Sequence, residues 1–184
     1  VIELCRGDNE ASQMILKLSE LLRISLDDAD QIISIEQEVR NTRLYVDILQ
    51  LRYESKLEVQ WNIPEEVQKC AIVKVSLQPL IENAVYHGIK PKREKGIIQV
   101  YAEKDSEKLK VTIQDDGIGM DPEECRILNE DLRNNFQFKK GHIGVRNVNQ
   151  RLKLLLGDQA QMKVTSEKGK GTCVQMALPY REVE

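Results

Sequence analysis

Two short segments of the sequence combine residue types that could bind a nucleotide. In the first, Glu82, Asn83 and His87 follow a helical pattern, and Asn83 and His87 stand four positions apart on one face. An amide oxygen is a suitable ligand for Mg²⁺, which shares its remaining positions with phosphates and water. A neighbouring glutamate can orient or deprotonate a nucleophile, and a histidine can donate to a phosphate. Taken alone, these residues are more typical of a polar helix edge.

The second segment, residues 115–120, places a carboxylate and two glycines at the end of a predicted strand. A carboxylate there can accept a hydrogen bond from an exocyclic amino group such as that of adenine. Gly117 and Gly119 remove side chains, so that a flat ring or a phosphate can approach the backbone closely. Taken alone, the segment is equally compatible with a simple acidic turn.

Two further glycine-containing segments follow in the chain. Gly141-His-Ile-Gly144 leads into a predicted helix, whose first amide groups have no partner in the helix and can face an anion. Gly169-Lys-Gly-Thr172 lies between two predicted strands. A flexible linker is the alternative for the first of these segments. The fixed order of all four segments is more specific than any one of them.

The elements that must position these segments are predicted from hydrophobic periodicity. Helices are expected at residues 10–26, 35–53, 66–87 with a bend near Pro79, 122–132 and 143–156. Strands are expected at residues 57–63, 97–102, 109–114, 162–166 and 173–178. Ser34 and Gln37 predict a capping box at the start of the second helix, and Gly157 ends the last one. This order predicts an α+β sandwich, with helices on one face of a mixed, largely antiparallel sheet.

Composition excludes several classes of protein. The 184 residues are 41% hydrophobic and 31% charged, which suits a soluble domain with an appendage. A net charge of −3 argues against a nucleic-acid binder. The four cysteines are widely separated, which indicates reduced thiols rather than a metal or disulfide framework. No apolar run approaches the roughly 20 residues that span a bilayer.

Together, the four segments resemble the conserved boxes of the GHKL ATP-binding superfamily. Residues 82–87 resemble its N box, residues 115–119 its G1 box, residues 141–144 its G2 box and residues 169–172 its last glycine motif. Three longer strings resemble the LytS/YesM-like sensor histidine kinases, namely residues 18–26, 77–89 and 142–152. The resemblance covers nearly the whole chain.

The resemblance implies the Bergerat fold and a site for ATP and Mg²⁺. It implies that Asp115 binds the adenine amino group, that Asn83 holds Mg²⁺, and that Glu82 and His87 serve catalysis. The residues implied to frame the nucleotide are Gly117, Gly119, Gly141, Gly144 and Thr172. Residues 121–140 would form a lid over it.

Three positions depart from the pattern or leave their role open. Asp116 stands where the family often has asparagine, and a second carboxylate near phosphates has an uncertain role. Arg146 and Arg151 match the kinase string, but helix-surface or salt-bridge roles fit them as well as phosphate binding does.

The resemblance also divides the chain and implies its partners. Residues 1–54 would be part of a dimerisation and linker region, and residues 55–184 the catalytic ATP-binding domain. The only histidines, His87 and His142, lie within the ATP-site motifs, so the phosphoacceptor is expected before Val1. We therefore expect a chain that binds ATP–Mg²⁺ but does not phosphorylate itself. The implied partners are a response regulator and a second copy, with a bacterial inner-membrane anchor upstream of this cytoplasmic portion.

Two other functions remain open at this stage. A GHKL ATPase or conformational switch would use Glu82 to activate water, and steady ATP turnover abolished by Glu82→Ala would favour it. A non-enzymatic interaction module would use the N-terminal helices to recruit partners. Loss of nucleotide binding on Asp115→Ala, with the fold retained, would exclude that module.

Overall fold

The structure, a computed structural model, describes residues 2–26, 30–53, 56–134 and 142–183, with the first helix's side chains described from residue 12 to residue 24. The helices are α1 (Ile2–Leu26), α2 (Ile35–Tyr53), α3 (Glu65–Gln68), α4 (Leu77–Asn83), α5 (Pro122–Asn134) and α6 (Ile143–Leu156). The strands are β1 (Ile32–Ser34), β2 (Leu57–Asn62), β3 (Ala71–Val73), β4 (Gly96–Asp105), β5 (Lys108–Asp115), β6 (Gln161–Glu167) and β7 (Gly171–Pro179). No helix in these ranges is both long and apolar enough to cross a bilayer.

The main sheet has five strands in the order β2-β4-β5-β7-β6. Its β2–β4 pair is parallel, and the other three pairs are antiparallel. Every second residue of β5 is buried: Leu109, Val111, Ile113 and Asp115. On the opposite face Thr112 is buried too, but Lys108 and Gln114 are exposed, so the first face is the more closely packed. The predicted α+β fold with a mixed, largely antiparallel sheet is confirmed.

The predicted helix at residues 66–87 is wrong, because the chain there forms three separate elements. Helix α3 ends at Gln68, β3 pairs antiparallel with β1, and α4 begins only at Leu77. The apolar run at residues 70–73 is buried throughout, so its periodicity could not separate a strand from a helix interior. Pro79 causes no bend, since it stands in the first turn of α4, where amide groups lack helical partners.

Helix α4 continues directly into a π-helical segment, Ala84–Ile89. The amide of Lys90 donates to the carbonyl of Val85 at 2.8 Å, which is the wider hydrogen-bond spacing of this helix type. Gly88 therefore lies inside the segment, and the helical stretch runs past its predicted end at residue 87. Gly88 in this segment packs against the end of β5, where a Cβ on it would lie 2.7 Å from Asp115 Oδ1.

Helix α1 extends further towards the N terminus than the predicted start at residue 10. It lies against α2 through buried Leu21 and through an ion pair between Lys17 and Asp47 at 2.5 Å. Most of its apolar stripe is exposed, namely Met14, Ile15, Leu18 and Leu22. The stripe therefore packs only in part on the rest of the chain.

The predicted capping box at the start of α2 is confirmed. The Ser34 hydroxyl accepts a hydrogen bond from the Gln37 amide at 3.2 Å, and the Gln37 side-chain oxygen accepts one from the Ser34 amide at 3.1 Å. Both bonds satisfy amide groups that the helix itself leaves without partners.

We expect Ser34→Ala to lower the free energy of unfolding by about 1 kcal/mol, because the Gln37 amide loses its acceptor. Urea unfolding followed by circular dichroism would measure the change. Ser19→Ala is the matched control, since its exposed hydroxyl only bonds the Ile15 carbonyl within α1. Equal effects of the two substitutions would contradict the capping role.

Candidate functional site

A cleft opens where the α4–π segment, the end of β5, the start of β7 and α6 meet. Its polar lining consists of Asn83, His87, Asp115, His142 and Thr172. Its apolar lining consists of Leu80, Ala84, Ile113, Met120, Val145, Val164 and Val174, with Gly88 and Gly119 between them. Several of the residues predicted from separate motifs therefore share one largely apolar cleft.

Asp115 ends β5 and is only 5% exposed. Its Oδ1 accepts hydrogen bonds from the Gly117 amide at 2.9 Å and from the Thr172 amide at 3.3 Å. Burial raises the pKa of Asp115 to about 6, although the two amide hydrogen bonds oppose this rise. An ionised carboxylate has room for more donors than these two. The site can therefore accept a donor from a flat group that enters the apolar cleft.

The glycines around Asp115 are needed because backbone segments pack there without room for side chains. A Cβ on Gly117 would lie 2.4 Å from the Gly88 backbone, and the Ile118 amide donates to the Gly88 carbonyl at 3.1 Å. A Cβ on Gly171 would lie 2.0 Å from the Asp115 carbonyl oxygen.

Gly119 has a φ of +65°, and a Cβ there would lie 2.1 Å from the Glu167 carbonyl oxygen. This angle is one that glycine adopts without steric cost. The sequence suggested only that a ligand could approach these glycines. The structure shows that other segments of the protein's own backbone already lie close to them.

Asn83, the last residue of α4, lies against Gly144 in the first turn of α6. Its Nδ2 donates to the Pro79 carbonyl at 2.6 Å, and a Cβ on Gly144 would come within 2.4 Å of that nitrogen. The donor end of the amide is thus occupied, which leaves the oxygen as the atom that could ligate a cation. Gly141, which the resemblance also placed at the site, lies outside the described residues, as does most of the second half of the predicted lid.

Glu82 and His87 lie in a shallower adjoining cleft, which Asn83, Tyr86, His142, Ile143 and Gly144 also line. The Glu82 carboxylate accepts a hydrogen bond from the Gln78 side chain at 3.1 Å. Tyr45 of α2 lies near it: burial and this carboxylate raise the pKa of the Tyr45 phenol.

His87 is exposed, and its ring centroid lies 5.7 Å from that of His142. His142 has a left-handed backbone conformation and contacts the Glu124 carboxylate of α5 at 2.8 Å. Two imidazole rings thus flank the approach to Asn83. Among the described residues, no group of three His, Cys, Asp or Glu side chains could hold a metal ion.

Asp116 and the two arginines of α6 contact protein groups. Lys92 pairs with the Asp116 carboxylate at 2.9 Å, and Asp116 Oδ1 accepts a hydrogen bond from the Ile97 amide at 2.8 Å. Arg146 pairs with Asp131 at 2.7 Å, and Arg151 donates to the Lys74 carbonyl at 2.8 Å. Asp116 therefore supports the loop before β4, and the arginines join α6 to neighbouring elements.

The sequence reasoning missed Glu38 of α2, whose carboxylate caps α4. It is 1% exposed and accepts hydrogen bonds from the amides of Val75 at 2.9 Å, Ser76 at 2.7 Å and Leu77 at 2.9 Å. Burial raises the pKa of Glu38, while these amide bonds and the Arg151 charge oppose the rise. A signal was present in the sequence, because Glu38 falls on the stripe that α2 buries, next to Val39. A carboxylate in such a stripe needs partners from another element.

Two family models match the chain. Residues 72–182 match the family described as histidine kinase-, DNA gyrase B- and HSP90-like ATPase, and residues 1–57 match the family described as histidine kinase. The first match alone spans more than half of the chain.

Individual relatives and solved structures agree with these matches. The sensor histidine kinase YesM of Bacillus subtilis is 33% identical over 94% of this chain and 28% of its own length. The sensor histidine kinase YpdA of Escherichia coli is 37% identical over 80% of this chain and 25% of its own length. The chain thus spans less than a third of the length of these two relatives.

The histidine kinase domain of the blue-light activated kinase EL346 from Erythrobacter litoralis has the same fold. It superposes with a TM-score of 0.58 over 92% of this chain and 74% of its own, at 24% identity. The chain therefore belongs to the histidine kinase-, DNA gyrase B- and HSP90-like ATPase family, and the relatives that it resembles over most of its length are sensor histidine kinases.

Proposed function

We propose that this domain binds ATP with Mg²⁺ and supplies the γ-phosphate to a histidine outside the chain, for relay to an aspartate of a response regulator. The observation that carries the proposal is Asp115, a buried carboxylate at the base of a largely apolar cleft, with Asn83 on the same lining. An adenine ring buries an apolar face and donates through its amino group, which matches both properties of the cleft.

We propose a role for each of these residues. Asp115 accepts the hydrogen bond of the adenine amino group, and Asn83 offers its oxygen to a Mg²⁺ ion shared with the phosphates. Glu82, in the adjoining cleft, orients or deprotonates the attacking imidazole, and His87 donates to a phosphate. Gly117, Gly119, Gly144 and Thr172 keep the backbone close to the nucleotide, and we extend this role to Gly141.

The division of the chain and its partners are part of the same proposal. We assign residues 1–54 to a dimerisation and linker region and residues 55–184 to the catalytic domain. The kinase family of the relatives supports a response regulator as partner and a second copy bound through the helical region. A membrane anchor would belong to a part of the kinase outside this chain.

We expect Asp115→Asn to weaken ATP binding at least tenfold and to reduce the preference for ATP over GTP, because an amide can donate to the guanine carbonyl. Isothermal titration calorimetry with both nucleotides would measure the change. Asp116→Asn is the matched control, since Asp116 pairs with Lys92 and does not line the cleft. If Asp116→Asn abolished ATP binding and Asp115→Asn did not, the proposed adenine contact would be wrong.

We expect the affinity for adenosine to fall below pH 6, by up to about tenfold per pH unit. The pKa of Asp115 is about 6, and a bound donor favours its ionised form, so protonation of the free chain competes with binding. Adenosine is the probe because it has no phosphate that titrates in this range. Chemical-shift titrations between pH 5 and 8 would give the curve. A flat profile for the native chain, or an identical slope for Asp115→Asn, would contradict the assignment.

In the longer kinase to which we assign this chain, we expect Glu82→Ala to slow transfer of radioactive γ-phosphate to histidine by about 100-fold or more, with ATP still bound. The product is recognised as phosphohistidine, which is stable in base and labile in acid. Glu94→Ala, in the exposed loop before β4, is the control. Steady release of phosphate by this chain alone, lost on Glu82→Ala, would instead identify an ATPase.

A further inference from the structure

The turn that precedes α4 is strained and is held by groups from two other helices. Val75 has a φ of +55°, a left-handed conformation that a β-branched side chain rarely adopts. The Val75 amide donates to the Glu38 carboxylate of α2, and the Val75 carbonyl accepts a hydrogen bond from Arg151 of α6 at 3.3 Å. The turn therefore keeps its shape through contacts with residues that are distant from it in the sequence.

The charge arrangement makes Glu38 the centre of this assembly. Its two oxygens accept from three consecutive amides, including the first two of the α4 region, Ser76 and Leu77. A carboxylate at a helix N terminus also interacts favourably with the helix dipole. The hydroxyl of Ser76 makes no capping bond and instead donates to the Val73 carbonyl at 2.6 Å.

Helix α4 is short enough to transmit a shift of its first turn to Asn83. It has seven residues, and Asn83 at its end is tied back to Pro79 of its first turn by the 2.6 Å bond. Asp115 is carried by β5 instead, and its Oδ1 accepts from the amides of Gly117 and Thr172, which lie after β5 and in β7. A movement of α2 would therefore change the position of Asn83 relative to Asp115.

We propose that Glu38 is a positioning residue that sets Asn83, and with it the metal and phosphate half of the site, from helix α2. This inference rests on the proposed function, in which Asn83 holds Mg²⁺ and Asp115 holds adenine. Because α2 packs on α1 through Leu21 and the Lys17–Asp47 pair, the same link connects α1 to the metal half of the site. The adenine half is linked to α2 less directly, because the Asp115 carboxylate is held by the amides of Gly117 and Thr172.

The test compares ATP affinity with Mg²⁺ and with EDTA, by calorimetry on this chain. For Glu38→Gln we expect the increase in ATP affinity that Mg²⁺ causes to become about tenfold smaller, as on loss of a charge-assisted hydrogen bond. The ATP affinity in EDTA should stay within about twofold of the native value. Asn83→Ala should give the same pattern. Glu36→Gln is the matched control, because it lies in the same first turn of α2 but is exposed and pairs only with Arg40 at 3.4 Å.

A rescue experiment separates positioning from simple loss of stability. Glycine adopts the backbone angle of Val75 without strain, so Glu38→Gln combined with Val75→Gly should recover both folding and most of the Mg²⁺-dependent tightening. Thermal unfolding would be recorded for every variant. If Glu38→Gln alone unfolds, the ATP affinities with Mg²⁺ and with EDTA are compared on the double variant instead.

The outcomes separate the inference from the function on which it rests. A folded Glu38→Gln that keeps the full effect of Mg²⁺, or loses metal-free and Mg²⁺-dependent affinity equally, would overturn the positioning role. Failure of the double variant to fold would overturn it too, since the carboxylate would then serve the fold as a whole. If the native chain bound no ATP, or bound it without any effect of Mg²⁺, the proposed function itself would fail.

Discussion

The cleft depends on the close approach of backbone segments at the end of β5. The π-helical segment, the turn after β5 and the start of β7 meet around Asp115 at distances that leave no room for a Cβ on Gly88, Gly117 or Gly171. Glycine at these positions lets the backbone hydrogen bonds form that orient the Asp115 carboxylate. Every proposed contact with adenine depends on that orientation.

This packing also separates two adjacent carboxylates into different environments. Asp115 is buried beside amide groups, and burial raises its pKa, whereas Asp116 reaches Lys92 and the Ile97 amide on the other side of the chain. The alternating direction of side chains along an extended backbone sends neighbours to opposite faces. One carboxylate is therefore available for recognition, and its neighbour supports the loop that precedes β4.

The half of the cleft that we propose for the metal is supported from a different direction. Asn83 depends on α4, whose first amide donates to Glu38 of α2, and Arg151 of α6 donates to the carbonyls of the turn before α4. Gly144 of α6 also packs directly against the Asn83 amide. The two proposed halves of the cleft thus have different main supports. Asp115 is carried by β5 and Asn83 by α4, and the π-helical segment that continues α4 packs against Asp115 through Gly88.

Local signals in the sequence determined much of this protein. The alternation in β5 and the capping box of Ser34 both predicted what the structure shows, because each depends on neighbours within a few residues. The break of the predicted helix at residues 66–87 and the role of Glu38 were decided only by tertiary structure. Residues 71–73 become a strand because β1 lies beside them, and Glu38 finds its amide partners 37 to 39 positions further along the chain. Such pairings depend on which segments the fold brings together, and periodicity within one segment contains no information about them.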